Sequence, residues 1–276
     1  MLMEKFQLSV LFKIIGIGSA SGILYHNDLL YVISDNSTYL YEYNIPNEKL
    51  NKIPLVDYPQ ENIPKKDKAD FESISFLENK LYILGSGSTE NRNKVVRYKL
   101  TSKKHSEKDF SIIFQDIKTQ LEIKDEELNI EGLIQQNNIM YLFQRGNGLN
   151  SKNGIIYSNE DIENRLFKFV PFDLPKINNV STTFTDAILI EDKIYFLASA
   201  EDTTSTYDDG EVLGSIIGTI DLKTMKLKSS IQISNKHKFE GLTLYKKTAT
   251  HIELLLCEDN DSEVLETTIY SLSIKR

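Results

Sequence analysis

The chain has 276 residues, 40% hydrophobic and 26% charged, with a formal net charge of −8. That mix fits a globular protein with a sizeable core, and the acidic balance argues against a nucleic-acid partner, which calls for a basic face. Cys257 is the only cysteine, which excludes an internal disulfide and fits a reducing, cytoplasmic setting, and no apolar run is long enough to span a membrane.

Lys5–Lys13 reads as a strand, with Phe6, Leu8, Val10 and Phe12 alternating against their neighbours. The competing reading of Phe6–Ala20 is a cleaved leader of a secreted or periplasmic protein, but Lys13 interrupts it. Gly16–Gly22 is a loop whose glycine spacing does not match a dinucleotide-binding turn. Blade one follows, with strands near Gly22–His26, Leu29–Ser34, Thr38–Tyr43 and Lys49–Leu55, the first two joined by the turn His26-Asn27-Asp28. Blade two takes Ser73–Leu77, Lys80–Gly85, Lys94–Leu100 and Phe110–Gln115, with Thr101–Asp109 an exposed loop and a single helical turn within Asp116–Glu127.

Blade three takes Gly132–Gln136, Ile139–Gln144, Gly154–Ser158 and Leu166–Phe172. Blade four takes Ala187–Ile190, Lys193–Ser199, Gly214–Asp221 and Lys226–Ile233, with an acidic loop at Thr203–Glu211. Blade five takes Gly241–Tyr245, His251–Cys257 and Thr267–Ile274, one strand short. The expectation is an all-β, five-bladed propeller with four antiparallel strands per blade and no helix of normal length. Its blades cover about 20–68, 69–128, 129–183, 184–237 and 238–276, and strand 5–13 closes the last of them.

A short motif opens each blade: Ala20-Ser21-Gly22, Phe71-Glu72-Ser73, Ile130-Glu131-Gly132, Thr185-Asp186-Ala187 and Phe239-Glu240-Gly241. In a propeller these starts line the axial channel, so Ser21, Glu72, Glu131, Asp186 and Glu240 are expected to ring it at one height. A single glutamate before a strand is usually a solvated cap. Four acids in register repel one another and call for protonation or a cation. With oxygen donors only, the cation is Ca²⁺ before Mg²⁺, whose octahedral demand is stricter.

A second recurring position follows the next strand: Asp35 and Asn36, Ser86 and Ser88, Arg145 and Asn147, Glu201 and Asp202, Glu258 to Asn260. These form the expected channel mouth. Arg145 either holds an anionic group or neutralises nearby acids, and Asp35 or Glu201 handles a proton. His26, His105, His237 and His251 share no repeat position.

These motifs resemble the five-bladed calcium-activated nucleotidases, the apyrase family. The mouth segments Ser34-Asp35-Asn36, Gly85-Ser86-Gly87, Gln144-Arg145 and Ala200-Glu201-Asp202 are similar to that family's rim. The resemblance implies an axial Ca²⁺ held by Glu and Ser residues, and hydrolysis of nucleoside di- and triphosphates. Departures are the absence of tryptophan, Ser88-Thr89-Glu90 in place of a Lys-Glu-Trp-Thr stretch, and Asp186 where the family has Ser. A looser similarity links the Glu-Gly-Leu repeats to esterase-like and phytase-like propellers. The expected function is a Ca²⁺-dependent hydrolase of a small phosphorylated or ester substrate bound as an anion at the mouth of a monomer. The alternative is a non-catalytic ligand- or protein-binding propeller with a structural axial ion.

Overall fold

The middle strands of each repeat are apolar on successive residues rather than alternate ones, as in Leu30-Tyr31-Val32-Ile33 and Leu254-Leu255-Leu256-Cys257, all of them buried. A strand of that kind needs cover on both faces of its sheet. The computed structural model supplies it: five four-stranded antiparallel sheets packed side by side in a ring. It describes residues 6–146, 148, 150, 152–158, 165–203, 210–259 and 264–275. Asn147, Asn260 and most of the acidic Thr203–Glu211 loop therefore lie outside the described residues.

Each seam between neighbouring blades has its own apolar cluster. Phe143, Phe184 and Phe196 fill the seam between blades three and four, edge to face at 5.1–5.3 Å. Tyr31, Ile33, Phe71 and Ile83 fill that between blades one and two. The inner strands are Ala20–His26, Phe71–Leu77, Ile130–Gln136, Thr183–Ile190 and Phe239–Lys247. In the first three blades the inner strand turns back through two residues in the left-handed region, Asn27-Asp28, Glu78-Asn79 and Asn137-Asn138. That conformation matches the twist of a two-residue hairpin.

The ring closes as the strand count requires. Phe6–Ile15 pairs antiparallel with Glu266–Lys275, from Phe6↔Ile274 to Ile15↔Glu266, and becomes the outer strand of blade five. A register shift between Val10 and Phe12 leaves Leu11 as the extra residue. Phe6 and Leu8 consequently pack toward blade four, while Phe12 and Ile14 pack toward blade one.

Blade two departs from the sequence reading. Its outer strand is Lys104–Asp109, within the expected loop, and Ser111–Leu121 is an eleven-residue α-helix where a strand and a single turn were expected. Phe110, Ile113, Phe114, Ile117 and Leu121 recur at helical spacing and pack into the seam between blades two and three. The Asp109 carboxylate accepts the Ser111 N–H at 2.7 Å at the helix start, and Glu122 ends the helix in the left-handed region.

Candidate functional site

Every inner strand carries a β-bulge near its start. The register shifts between Ala20 and Gly22, Phe71 and Ser73, Ile130 and Gly132, Phe184 and Asp186, and Phe239 and Gly241. A bulge leaves one residue unpaired and re-aims its side chain. The bulged residues are Ser21, Glu72, Glu131, Thr185 and Glu240, and all five are buried.

The register corrects the alignment in blade four, where Thr185, not Asp186, is the equivalent of the glutamates. The two hydroxyls behave alike. Ser21 Oγ donates to the Phe71 carbonyl of the next blade at 2.5 Å, and Thr185 Oγ1 donates to the Phe239 carbonyl of its next blade at 2.7 Å.

Asp186 falls one residue later, in the slot held elsewhere by Gly22, Ser73, Gly132 and Gly241. That slot is tight: a Cβ on Gly241 would sit 2.5 Å from Cys257 Sγ and 2.9 Å from the Ile23 nitrogen. Asp186 fits by bonding backbone, its two carboxylate oxygens accepting the N–H groups of Ala187 and of Leu242 in blade five, each at 2.7 Å. Burial nevertheless pushes its carboxyl well above the usual range, against those two bonds.

Around the ring runs a chain of buried ion pairs. Arg145 NH1 reaches Glu131 Oε1 at 3.2 Å and NH2 reaches Glu201 Oε2 at 2.8 Å. Asn129 Nδ2 donates to the same Glu131 oxygen at 2.7 Å. Lys238 continues the chain, 2.9 Å from Glu201, 2.8 Å from Glu240 and 3.8 Å from Asp259. On the opposite side Lys68 joins Asp35 to Asp70, whose other oxygen meets Arg92 NH1 at 2.8 Å. Glu72 stands between the two chains. Among the described residues its carboxylate has no hydrogen bond and no ion pair.

Seven carboxylates (Asp35, Asp70, Glu72, Glu131, Glu201, Glu240 and Asp259) thus share four cations (Lys68, Arg92, Arg145 and Lys238), an excess of three negative charges if all ionise. The charge is unevenly borne. Burial pushes Glu72 well above the ordinary glutamate range, reinforced by Asp70, Glu131 and Glu240. Burial also raises Glu240 and Glu131, in spite of Lys238 and Arg145 respectively. Glu201 goes the other way: burial alone would raise it, but Arg145 and Lys238 hold it down to about 2. Asp35 is raised by burial against the pull of Lys68.

The structure therefore gathers Ser21, Asp35, Glu72, Glu131, Arg145, Glu201 and Glu240 about one channel mouth, with Asp186 turned into the backbone beside it. It does not bring Glu258 into the network. That side chain lies 2.5 Å from His237 Nδ1 and accepts the Tyr270 hydroxyl at 2.7 Å. Sequence reasoning missed Lys68, Asp70, Arg92 and Lys238. Part of the signal was present, because Asp70, Asn129 and Lys238 each precede a ring glutamate by two residues.

A family profile covers residues 16–274 of the chain. The protein belongs to DUF6929, a family of unknown function. The family match names no nucleotidase. No curated protein matches the sequence. Among solved structures, a luciferin-regenerating enzyme is similar with a TM-score of 0.50 at 10% identity, over 98% of this chain and 97% of that one. A DUF4221 member from Bacteroides vulgatus gives a TM-score of 0.47 at 8% identity, over 99% of each chain. The β-propeller domain of Myceliophteria thermophila Cps50 (Swd1) gives 0.42 at 12% identity, over 91% of this chain and 67% of that one. At such identities these likenesses bear on the fold alone.

Proposed function

We propose that this chain is a cation-binding propeller whose channel mouth works as a metal-dependent hydrolase of a small phosphorylated or ester compound. The observation that carries the reading is Glu72, a carboxylate 9% exposed, at the ring position, with acids around it and, among the described residues, no ion pair. Such a group either keeps a proton or shares a cation. The donor set is all oxygen, which suits Ca²⁺. The ring that would hold it is Glu72, Glu131 and Glu240 with the hydroxyls of Ser21 and Thr185. Thr185 also removes one departure from the nucleotidase pattern, because it puts a hydroxyl where that family has Ser.

A bound Ca²⁺ supplies Lewis-acid polarisation of a phosphoryl or acyl oxygen. The chain's own groups divide the remaining work. Asp35, with its raised carboxyl, is the better proton acceptor near neutral pH, whereas Glu201 is locked as an anion by Arg145 and Lys238. Arg145 grips Glu131 and Glu201 at once, so its first role is to clamp the ring, and it meets a substrate anion only by sharing those bonds. That double engagement also favours a second reading, a non-catalytic binding propeller in which the ion is structural.

The expected outcome is that Ca²⁺ raises the melting temperature of chelator-treated protein, by roughly 2.7 kcal/mol of stability at a hundredfold excess over Kd. Glu72 and Glu240 fix the pH dependence. Their folded values lie above the unfolded value of about 4.3, so the ion-free protein loses stability as pH rises past that point, and the gain from Ca²⁺ grows in step. Melting curves with EDTA or Ca²⁺ at pH 5 and pH 8 check this. A panel of phosphate and ester substrates with and without Ca²⁺ then separates the hydrolase from the binding protein, since turnover absent under both conditions removes the hydrolase.

A further inference from the structure

The seam between blades one and two contains a carboxylate group that the axial ring does not explain. Asp35 follows the second strand of blade one, while Asp70 and Glu72 lie where the chain enters blade two. One carboxylate oxygen from each lies within 4.8 Å of the other two. Asp70 is fully engaged, by Lys68 on one oxygen and by Arg92 and the Ser86 hydroxyl on the other. Asp35 gives Oδ2 to Lys68, but its Oδ1 is buried and, among the described residues, has no hydrogen-bond partner. Glu72 is 9% exposed and, among the described residues, bonded to nothing. An unpaired buried carboxylate is expensive, and here an Asp35 oxygen and a Glu72 oxygen lie within 4.8 Å of each other.

We infer that this seam binds a divalent cation of the Ca²⁺ type through Asp35 Oδ1 and Glu72, with Asp70 as the third carboxylate and Lys68 as the ammonium it competes with. Hard, charged oxygens without sulfur or imidazole select such an ion. The inference rests on the proposed cation binding but moves the ion off the axis, because Glu72 is the only one of the three acids that belongs to the ring. The ligand sets are therefore separable. Asp35 belongs to the seam alone, and Glu240 to the axial ring alone.

The test is calorimetric titration of Ca²⁺ into the chelator-stripped full chain, for wild type, Asp35→Asn, Glu240→Gln and Lys68→Met, each checked for folding by circular dichroism. Losing a charged oxygen ligand in Asp35→Asn is expected to weaken Ca²⁺ binding about tenfold or more, and by more than Glu240→Gln does. Lys68→Met is expected to bind more tightly, since the competing ammonium is gone. If Glu240→Gln loses binding and Asp35→Asn keeps it, the ion is axial and the seam site is overturned while the proposed function stands. If wild type takes up no Ca²⁺, both fall together. Should Asp35→Asn fail to fold, Lys68→Met decides: tighter binding supports the seam, and unchanged or weaker binding overturns it.

Discussion

Replacing Lys238 with methionine is expected to destabilise the protein by about 3–5 kcal/mol, the usual loss when one partner of a buried ion pair is removed. Lys238 is 5% exposed and lies within 3 Å of both Glu201 and Glu240. Methionine keeps much of the length and the apolar stem, so packing changes little and the charge is what disappears. Glu201 retains Arg145, but Glu240 is left, among the described residues, with no ion pair. The effect has a sign in pH. Glu240 already sits above its ordinary value because of burial, and removing Lys238 raises it further. In the unfolded chain the same group ionises above about pH 4.3. Wild type ionises Glu240 at a lower pH than the mutant does, so the deficit at pH 8 is at least as large as that at pH 5. Urea unfolding at those two pH values measures it, and a mutant as stable as wild type at pH 8 would mean that Lys238 does not neutralise the ring.

Replacing Phe12 and Ile14 together with alanine is expected to cost a similar amount for a different reason. Side chains alternate along a strand, so Phe6, Leu8, Phe12 and Ile14 would all share one face of a regular strand. The bulge at Leu11 switches the face midway, sending Phe12 and Ile14 to the seam with blade one. The double substitution removes both side chains from that seam. Ile14 is only 1% exposed, and two large apolar side chains at roughly 1.5–3 kcal/mol each give about 3–6 kcal/mol. Leu11→Ser alters the bulge residue itself, whose side chain is 42% exposed, so its change should stay within about 0.5 kcal/mol. Thermal melting of the two variants side by side checks the argument, which fails if both melt alike.

The ring was legible in the sequence because each bulge follows a buried apolar residue, Ala20, Phe71, Ile130, Phe184 or Phe239, and precedes an apolar run, a turn and a second run. Alignment on that apolar residue places Thr185 correctly. Alignment on the acid does not, because Asp186 comes one position late and serves the backbone of the next blade. The helix was misread for a related reason. Phe110, Ile112 and Phe114 alternate like a strand, whereas Phe110, Phe114, Ile117 and Leu121 recur like a helix. The second pattern wins because those residues pack together in the seam between blades two and three while Ile112 is 78% exposed. The cations of the mouth were the least legible part. Lys68, Arg92, Arg145 and Lys238 reach the carboxylates from different offsets along their repeats, so no periodicity marks them, and only the folded geometry shows which acids they hold.

The central claim is that the carboxylate excess at the channel mouth is completed by a divalent cation. Its most direct test is equilibrium dialysis of the chelator-treated protein against Ca²⁺ at pH 8, with the metal content read by elemental analysis and proton release followed in weakly buffered solution. The account predicts saturable uptake, with proton release that grows as the pH is lowered, since Glu72 holds its proton more tightly than an ordinary glutamate and must give it up to a metal. Protein that emerges with no bound Ca²⁺ and releases no protons would contradict it, and would mean that the buried glutamates are neutralised by protons and by the four buried cations alone.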